Sequence, residues 1–300
     1  MISVVVPAYN CSGFIVESVE SCLAQQVDEA LEVIVVDDAS TDDTLAALAA
    51  FSDDERVIVL PQERNRGPAA CRNLAIEAAK GDHIALLDAD DLMLPGRLDA
   101  QLRMFREEGG GLAVCATWTI EELPSGRRKR INRFRPGRSR QEVVRRIFLG
   151  LISAITPTLF FRRADALAVG GFDEGLVHRE DSDFILKLLE RGEMRAVEQP
   201  LVVRRIREAG LSARIDEDAF VSSRQRFARN AAARYPFLDQ HLPHYWARAH
   251  CILARKILGS DPARSRRLLW RSLRERPTFK AAAALAVACA RGRASGGAAR

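Results

Sequence analysis

Ile84-Ala85-Leu86-Leu87-Asp88-Ala89-Asp90-Asp91 is an apolar run of strand type that ends in three carboxylates within four residues. Carboxylates packed this closely repel one another and are costly to desolvate. A divalent cation relieves that cost, and hard oxygen ligands suit Mg²⁺ or Mn²⁺. The same residues would also suit a solvated acidic turn closing a strand. The segments on either side decide between the two.

Working back to the N-terminus, Ile2-Ser3-Val4-Val5-Val6 is a β-branched run of buried-strand type, stopped by Pro7-Ala8-Tyr9-Asn10. Ser12 offers an N-cap for a helix over 14–23. Leu31 to Val36 forms a second apolar run and ends in Asp37-Asp38. Residues 44–50 have helical character, and 57–60 form a third strand. Pro68 suits the first position of a helix over 68–79, which Gly81 ends. The strand–helix rhythm predicts an α/β layer with a mainly parallel central sheet flanked by helices. Ligands of such sheets sit at the carboxyl ends of the strands. The polar clusters at residues 7–10, 37–38 and 88–91 all fall there. Taken singly, Asp37 and Asp38 equally suit a helix start, and Arg72 a solvated helix face.

Working forward, residues 95–107 read as a helix, 112–117 as a strand and 156–161 as another. Between the last two lies a stretch with ten Lys or Arg and one acid over residues 125–146. It reads as a solvated loop running into a helix start. An anionic acceptor or lipid headgroups are the functional alternative. With Phe134 as its lone aromatic, the stretch is a poor single-stranded nucleic-acid platform, and no nucleic-acid partner is expected. Gly170-Gly171-Phe172-Asp173-Glu174 makes a turn, and Arg179-Glu180-Asp181-Ser182-Asp183 opens a helix. Acids there fit the macrodipole, and near a metal site one of them fits a general base. Strand character returns at 201–203. From about residue 213 it stops, and 219–235, 242–258, 262–275 and 279–290 read as helices, followed by a frayed tail over 292–300.

A hydrophobic content of 47% with 28% charged residues is ordinary for a globular chain of 300 residues. No stretch reaches the roughly 18 apolar residues of a membrane span. The six cysteines are scattered without a metal-type or redox-type spacing and read as reduced cytosolic thiols. The net charge of +5 conceals an asymmetry: residues 1–100 carry 6 basic and 19 acidic side chains, and residues 101–300 carry 39 and 21. The first part is suited to a metal, and the second to phosphates or an anionic surface.

Six motifs in order give the chain a resemblance to family 2 glycosyltransferases. They are Val6-Pro7-Ala8-Tyr9-Asn10, Val36-Asp37-Asp38-Ala39-Ser40-Thr41-Asp42, Asn65-Arg66-Gly67-Pro68-Ala69-Ala70-Cys71-Arg72-Asn73, Leu87-Asp88-Ala89-Asp90-Asp91, Gly170-Gly171-Phe172-Asp173 and Glu180-Asp181-Ser182-Asp183. The resemblance implies a GT-A fold over residues 1–212, with a helical C-terminal region over 213–300. It implies an inverting transfer from a nucleotide-sugar donor, usually a UDP-sugar, to a glycan or lipid-linked acceptor.

Residue by residue, it makes Pro7, Ala8 and Tyr9 the first nucleotide-contacting loop, with Asn10 beside them. It makes Asp37 the acceptor of hydrogen bonds from the base, with Asp38 next to it. Arg66, Gly67 and Arg72 fall in the segment that closes over the nucleotide. Asp88 faces the ribose or diphosphate, Asp90 ligates Mg²⁺ or Mn²⁺, and Asp91 and Glu180 are their neighbours. Asp181 is the catalytic base. Arg207 stands where many relatives carry a histidine; it cannot ligate a metal but can pair with phosphate oxygens of the leaving group. The expected location is cytoplasmic, peripheral on the inner face of an anionic membrane. A nucleotidyltransferase would carry a Gly-rich, Arg-containing loop after the first strand, which residues 7–10 are not. A non-catalytic binding module of the same fold would have lost the metal pair or the base, and this chain keeps both.

Overall fold

A computed structural model describes residues 1–152, 154–207 and 216–296. The chain divides into two compact units, Met1–Ala213 and Arg214–Arg300. The expected boundary near 212 and the run from Glu208 to Ser212 lie outside the described residues, as do 297–300.

The first unit begins with β1 (Ile2–Ala8), α1 (Ile15–Leu23), β2 (Leu31–Asp37), α2 (Thr44–Leu48), β3 (Val57–Pro61), α3 (Pro68–Ala78) and β4 (His83–Leu86). These four strands are all parallel, in the order β3-β2-β1-β4. The buried Val, Ile and Leu runs of β1, β2 and β4 form the centre of the core, and the edge strand β3 is half-buried beside them. Parallel strands covered on both faces need such uninterrupted apolar runs. The register aligns Ala8 with Asp37 and Asp37 with Pro61, so the loops after these strands emerge at one edge of the sheet.

Beyond β4 the sheet becomes mixed. There follow β5 (Leu92–Met93), α4 (Arg97–Glu108), β6 (Leu112–Glu122), β7 (Arg128–Asn132), α5 (Arg140–Phe148), β8 (Leu159–Arg162), α6 (Arg163–Ala168), α7 (Glu180–Leu188) and β9 (Glu193–Arg205). The sheet continues β4-β8-β6-β9-β5, with β7 on β6. Strand β8 is antiparallel to both β4 and β6, whereas β6 and β9 are parallel. The expected mainly parallel sheet is parallel through its first four strands and again between β6 and β9, with β8, β7 and β5 added antiparallel.

Three local expectations shift. Part of the basic stretch 125–146 is strand β7, paired antiparallel with β6, and its Arg128 meets Glu122 at 3.2 Å. Ser12 does not cap α1, whose N-cap is Phe14 without a side-chain bond. Gly81 answers to packing: a Cβ there would lie 2.7 Å from the Ser3 backbone nitrogen.

The second unit is helical: α8 (Glu217–Arg234), α9 (Leu242–Ile257), α10 (Pro262–Glu275) and α11 (Phe279–Gly296). Asp216 and Asp261 cap α8 and α10 through their side chains. Ala254, Leu269, Ala281, Leu285 and Ala288 form a core shared by α9, α10 and α11.

Candidate active site

Three loops at the carboxyl edge of the parallel strands are stitched together by side chains. Asn10 is the first stitch. Its side-chain Oδ1 accepts from Thr41 N at 2.8 Å, and its backbone N–H donates to Ser40 Oγ at 3.0 Å. Asp37 is buried at the end of β2 and accepts from Ser40 Oγ at 2.5 Å and Ser40 N at 3.2 Å. A carboxylate has about four lone-pair sites, so Asp37 keeps capacity for an outside donor. Asp38, also buried, accepts from Arg66 N at 2.7 Å and Gly67 N at 2.8 Å. Its function is to hold the 63–67 loop against β2. Gly67 has a φ of +86°, a conformation L side chains resist. Tyr9 stands 48% exposed beside these loops, beyond the buried Ala8 and the half-buried Pro7.

The acidic stretch that follows β4 separates into three environments. Asp88 accepts from Arg72 Nη2 at 2.8 Å. Asp90 pairs with Arg207 Nη1 at 3.3 Å. Asp91 is buried and accepts from the backbone N–H of Arg205 at 2.9 Å, so it fastens the loop to β9. Burial, reinforced by Asp88, raises the Asp90 pKa against the pull of Arg207. Burial, with Asp88 and Asp90, raises that of Asp91 further.

Arg72 brings the distant acidic helix into the same site. It lies on α3, its side chain 5% exposed, with Asp88 at 2.8 Å on one side and Glu180 at 3.8 Å on the other. Its guanidinium also lies 5.5 Å from the Phe172 ring centroid. Nε and Nη1 are buried without a hydrogen-bond partner. A buried donor left unmatched is costly, so these atoms are poised for a further acceptor. Taken singly, Arg72 suits a solvated helix face; it lies instead within the site, between two carboxylates.

Helix α7 is preceded by Arg179, its N-cap residue, at φ +73°, an outlier for a non-glycine residue. Arg179 is held there by bonds from its guanidinium to the carbonyls of Ile147 at 2.7 Å and Phe148 at 3.0 Å. Asn10 and Ala39 are the other non-glycine residues with positive φ among the described residues, and both belong to the stitched loops. Strain of this kind concentrates where surrounding structure holds a functional geometry. Asp181 Oδ1 accepts from Ser182 N at 2.5 Å and Ser182 Oγ at 3.0 Å. Burial, then the neighbouring Asp181 charge, pushes Glu180 up to about 7, against the opposing pull of Arg72.

Because the folded pKa of Glu180 lies above its unfolded value, its contribution to stability is complete below about 4.5 and lost as pH rises through about 7. Glu180→Gln is therefore expected to raise the melting temperature at pH 8 and leave it little changed at pH 5. The gain should be roughly 2–4 °C for each kcal/mol recovered. An equal shift at both pH values would contradict this assignment.

Arg207 Nη1 holds Asp90, Nη2 donates to Asn10 O at 3.2 Å, and the guanidinium sits 4.8 Å above the Phe14 ring. The turn before α7 is latched as well. Asn73 bonds both the N–H and the C=O of Phe172, at 2.8 and 3.0 Å, and meets Glu174 at 3.1 Å. Glu174 in turn pairs with the exposed Arg66 at 3.3 Å. A Cβ on Gly171, at φ +62°, would strike Asn73 Oδ1. Asn73 and Ser182 lie inside the quoted motifs and Glu174 directly after one, but the sequence reading assigns no role to any of them, nor to Phe14.

Among the described residues, no three His, Cys, Asp or Glu side chains could hold a metal ion by themselves. Asp90 and Asp88 nevertheless supply the hard oxygens that Mg²⁺ or Mn²⁺ takes when phosphate oxygens and water complete its shell. The raised pKa of Asp90 marks charge that such a cation would neutralise. The two carboxylates fit a hard divalent cation whose remaining ligands would come from outside the protein.

A family model described as Glycosyl transferase family 2 matches residues 3–170. Succinoglycan biosynthesis protein ExoO of Rhizobium meliloti is 44% identical over 113 residues, 38% of this chain and 32% of that protein. Glycosyltransferase GlyG of Streptococcus pneumoniae is 36% identical over 123 residues, 41% of this chain and 40% of GlyG. The match thus spans well under half the length of either relative. The crystal structure of S. aureus TarS 1-349 in complex with UDP-GlcNAc superposes with a TM-score of 0.67 at 21% identity. It covers 98% of this chain and 92% of TarS 1-349. At that identity the likeness is one of fold.

Proposed function

The chain belongs to glycosyltransferase family 2, and from that premise we propose that it moves a sugar from a UDP-sugar to a hydroxyl of a glycan or lipid-linked acceptor, with inversion, in the synthesis of a cell-surface glycan. The observation that carries this reading is Arg72 between Asp88 and Glu180. It joins the donor-side carboxylates to the acidic helix start from which a base would act. The donor class is supported by the UDP-GlcNAc bound to TarS, and the pathway class by the succinoglycan role in the name of ExoO.

In this mechanism Asp37, fixed by Ser40, accepts the imide N–H of uracil. Pro7, Ala8 and Tyr9 line the nucleotide, and the 66–67 loop, held by Asp38, flanks it. Asp88 takes the ribose or diphosphate side, and Asp90 would hold Mg²⁺ or Mn²⁺. That cation would supply Lewis-acid stabilisation of the departing diphosphate. Arg207, now on Asp90, adds a planar cation that can pair with phosphate oxygens. Asp181 removes the acceptor proton as the oxygen attacks the anomeric carbon.

Thermal shift across a nucleotide-sugar panel, with and without Mn²⁺, tests the donor side. A UDP-sugar is expected to raise the melting temperature in the presence of metal. Asp90→Ala should lose the metal-dependent part while Asp90→Asn retains some of it. Equal shifts with and without Mn²⁺ in the native chain would remove Asp90 from the metal.

No helix among the described residues is long and apolar enough to cross a membrane. The proposed place of work is the cytoplasmic face of an anionic membrane. Exposed Trp270 and Phe279 in the arginine-rich C-terminal unit support it, since such pairs favour a lipid interface.

A further inference from the structure

The basic stretch that the donor site leaves unused borders a space of its own, open to solvent. Trp118, Arg133, Phe134, Arg135, Arg146 and Leu151 line an open cavity of about 470 Å³. That volume is in the range of pockets that take small organic ligands. The cavity is built rather than incidental. The Trp118 indole N–H donates to Phe134 O at 2.8 Å, which pins the segment after β7 to β6. Arg146 on α5 donates to Pro136 O at 2.8 Å from the other side. Leu151, 41% exposed, supplies an apolar wall.

The charges in the cavity are one-signed: three of the six lining side chains are guanidinium groups, and none is a carboxylate. Arg135 is paired with Glu198 at 2.8 Å, and Arg146 approaches Glu142 at 4.0 Å. Arg133 makes no ion pair among the described residues, and its guanidinium lies 5.4 Å from the Trp118 ring centroid. An arginine spread on an aromatic face keeps its edge N–H groups free for a planar or tetrahedral anion. An aromatic and an aliphatic wall beside it suit the C–H faces of a sugar ring.

The cavity is also tied to the loop of the base. Leu151 N donates to Arg146 O at 2.8 Å, closing the end of α5. In the same turn, the carbonyls of Ile147 and Phe148 hold Arg179, the residue directly before Glu180 and Asp181.

We propose that this cavity is the acceptor subsite, and that the acceptor unit seated in it carries a carboxylate or a phosphate. The assignment rests on the transferase reading above. Its occupant is a soluble glycan segment; a lipid headgroup offers the same phosphate, so the test separates the two.

The test uses the full chain as wild type, Arg133→Ala and Arg133→Lys. Binding of glucose, glucuronate and glucose 6-phosphate is followed by saturation-transfer NMR. UDP-sugar hydrolysis without acceptor is measured in parallel, and vesicles of phosphatidylcholine with and without phosphatidylglycerol serve as the lipid arm. At least one charged sugar should bind more tightly than glucose. Arg133→Ala should weaken it about 10- to 100-fold, as expected for a lost charge-assisted contact, and Arg133→Lys should recover part. Donor hydrolysis and vesicle binding should be the same in all three proteins. Glucose binding as well as its charged derivatives, or charged sugars indifferent to Arg133→Ala, would overturn the assignment. So would anionic vesicles that displace the sugar phosphate and lose their hold in Arg133→Ala. Absence of donor hydrolysis from the wild type would defeat the transferase reading separately, whatever the sugars do.

Discussion

Asp181→Asn is expected to abolish sugar transfer while leaving the fold and donor binding intact. Asp181 Oδ1 is occupied by Ser182 N and Oγ, at 2.5 and 3.0 Å. Oδ2 takes no hydrogen bond among the described residues and is the oxygen available to a proton. Asparagine can keep the Oδ1 bonds, so the start of α7 should be undisturbed. Its amide cannot take a proton, and loss of general-base help costs about 10²–10⁴-fold in rate. The loss should fall on kcat, with the donor dissociation constant unchanged. Transfer at the wild-type rate would remove Asp181 from the reaction. An equal fall in donor affinity would mean that it serves binding instead.

Arg72→Met is expected to damage stability and site together. The substitution keeps much of the buried stem but leaves Asp88 and Glu180 facing each other without their cation. Removing one partner of a buried pair costs about 3–5 kcal/mol. Asp88 is 34% exposed, so water softens the loss, and the lower end, about 3 kcal/mol, is expected. The deficit should deepen as pH rises through the range in which Glu180 ionises, because the charge then has no counterpart. Urea unfolding at pH 5 and pH 8 measures both effects. Arg72→Lys should be intermediate, since an ammonium on a shorter reach cannot span two carboxylates as a guanidinium does. Unaltered stability at both pH values would show that the bridge does not hold the site together.

Much of the parallel half of the sheet was legible because its causes are local. Strands buried on both faces need continuous apolar runs, and Ile2 to Val6, Leu31 to Val36 and His83 to Leu87 display them. The mixed half was less legible. Leu92–Met93 is too short to signal a strand, and it exists because it pairs with Val202 and Val203 on β9. Strand β7 was hidden under a charge run whose arginines alternate with nothing apolar until Ile131; its strand state comes from the partner, β6.

The motifs likewise announced which residues are acidic, and the structure sorted them. Asp37, Asp38, Asp88, Asp90 and Asp91 look alike in a chain. Asp38 is consumed by the N–H groups of Arg66 and Gly67, and Asp91 by that of Arg205. Asp88 and Asp90 face arginines that lie 16 and 117 residues away.

The sequence by itself determined the family and the edge of the sheet where chemistry gathers, because apolar periodicity and loop composition are written in neighbouring residues. Only the tertiary structure decided that Asp90 meets Arg207, that Asp91 is a fastening, and that Arg72 draws Glu180 to Asp88. Those assignments depend on which charges share a desolvated space, and electrostatic pairing over 100 residues of chain is set by packing rather than by spacing.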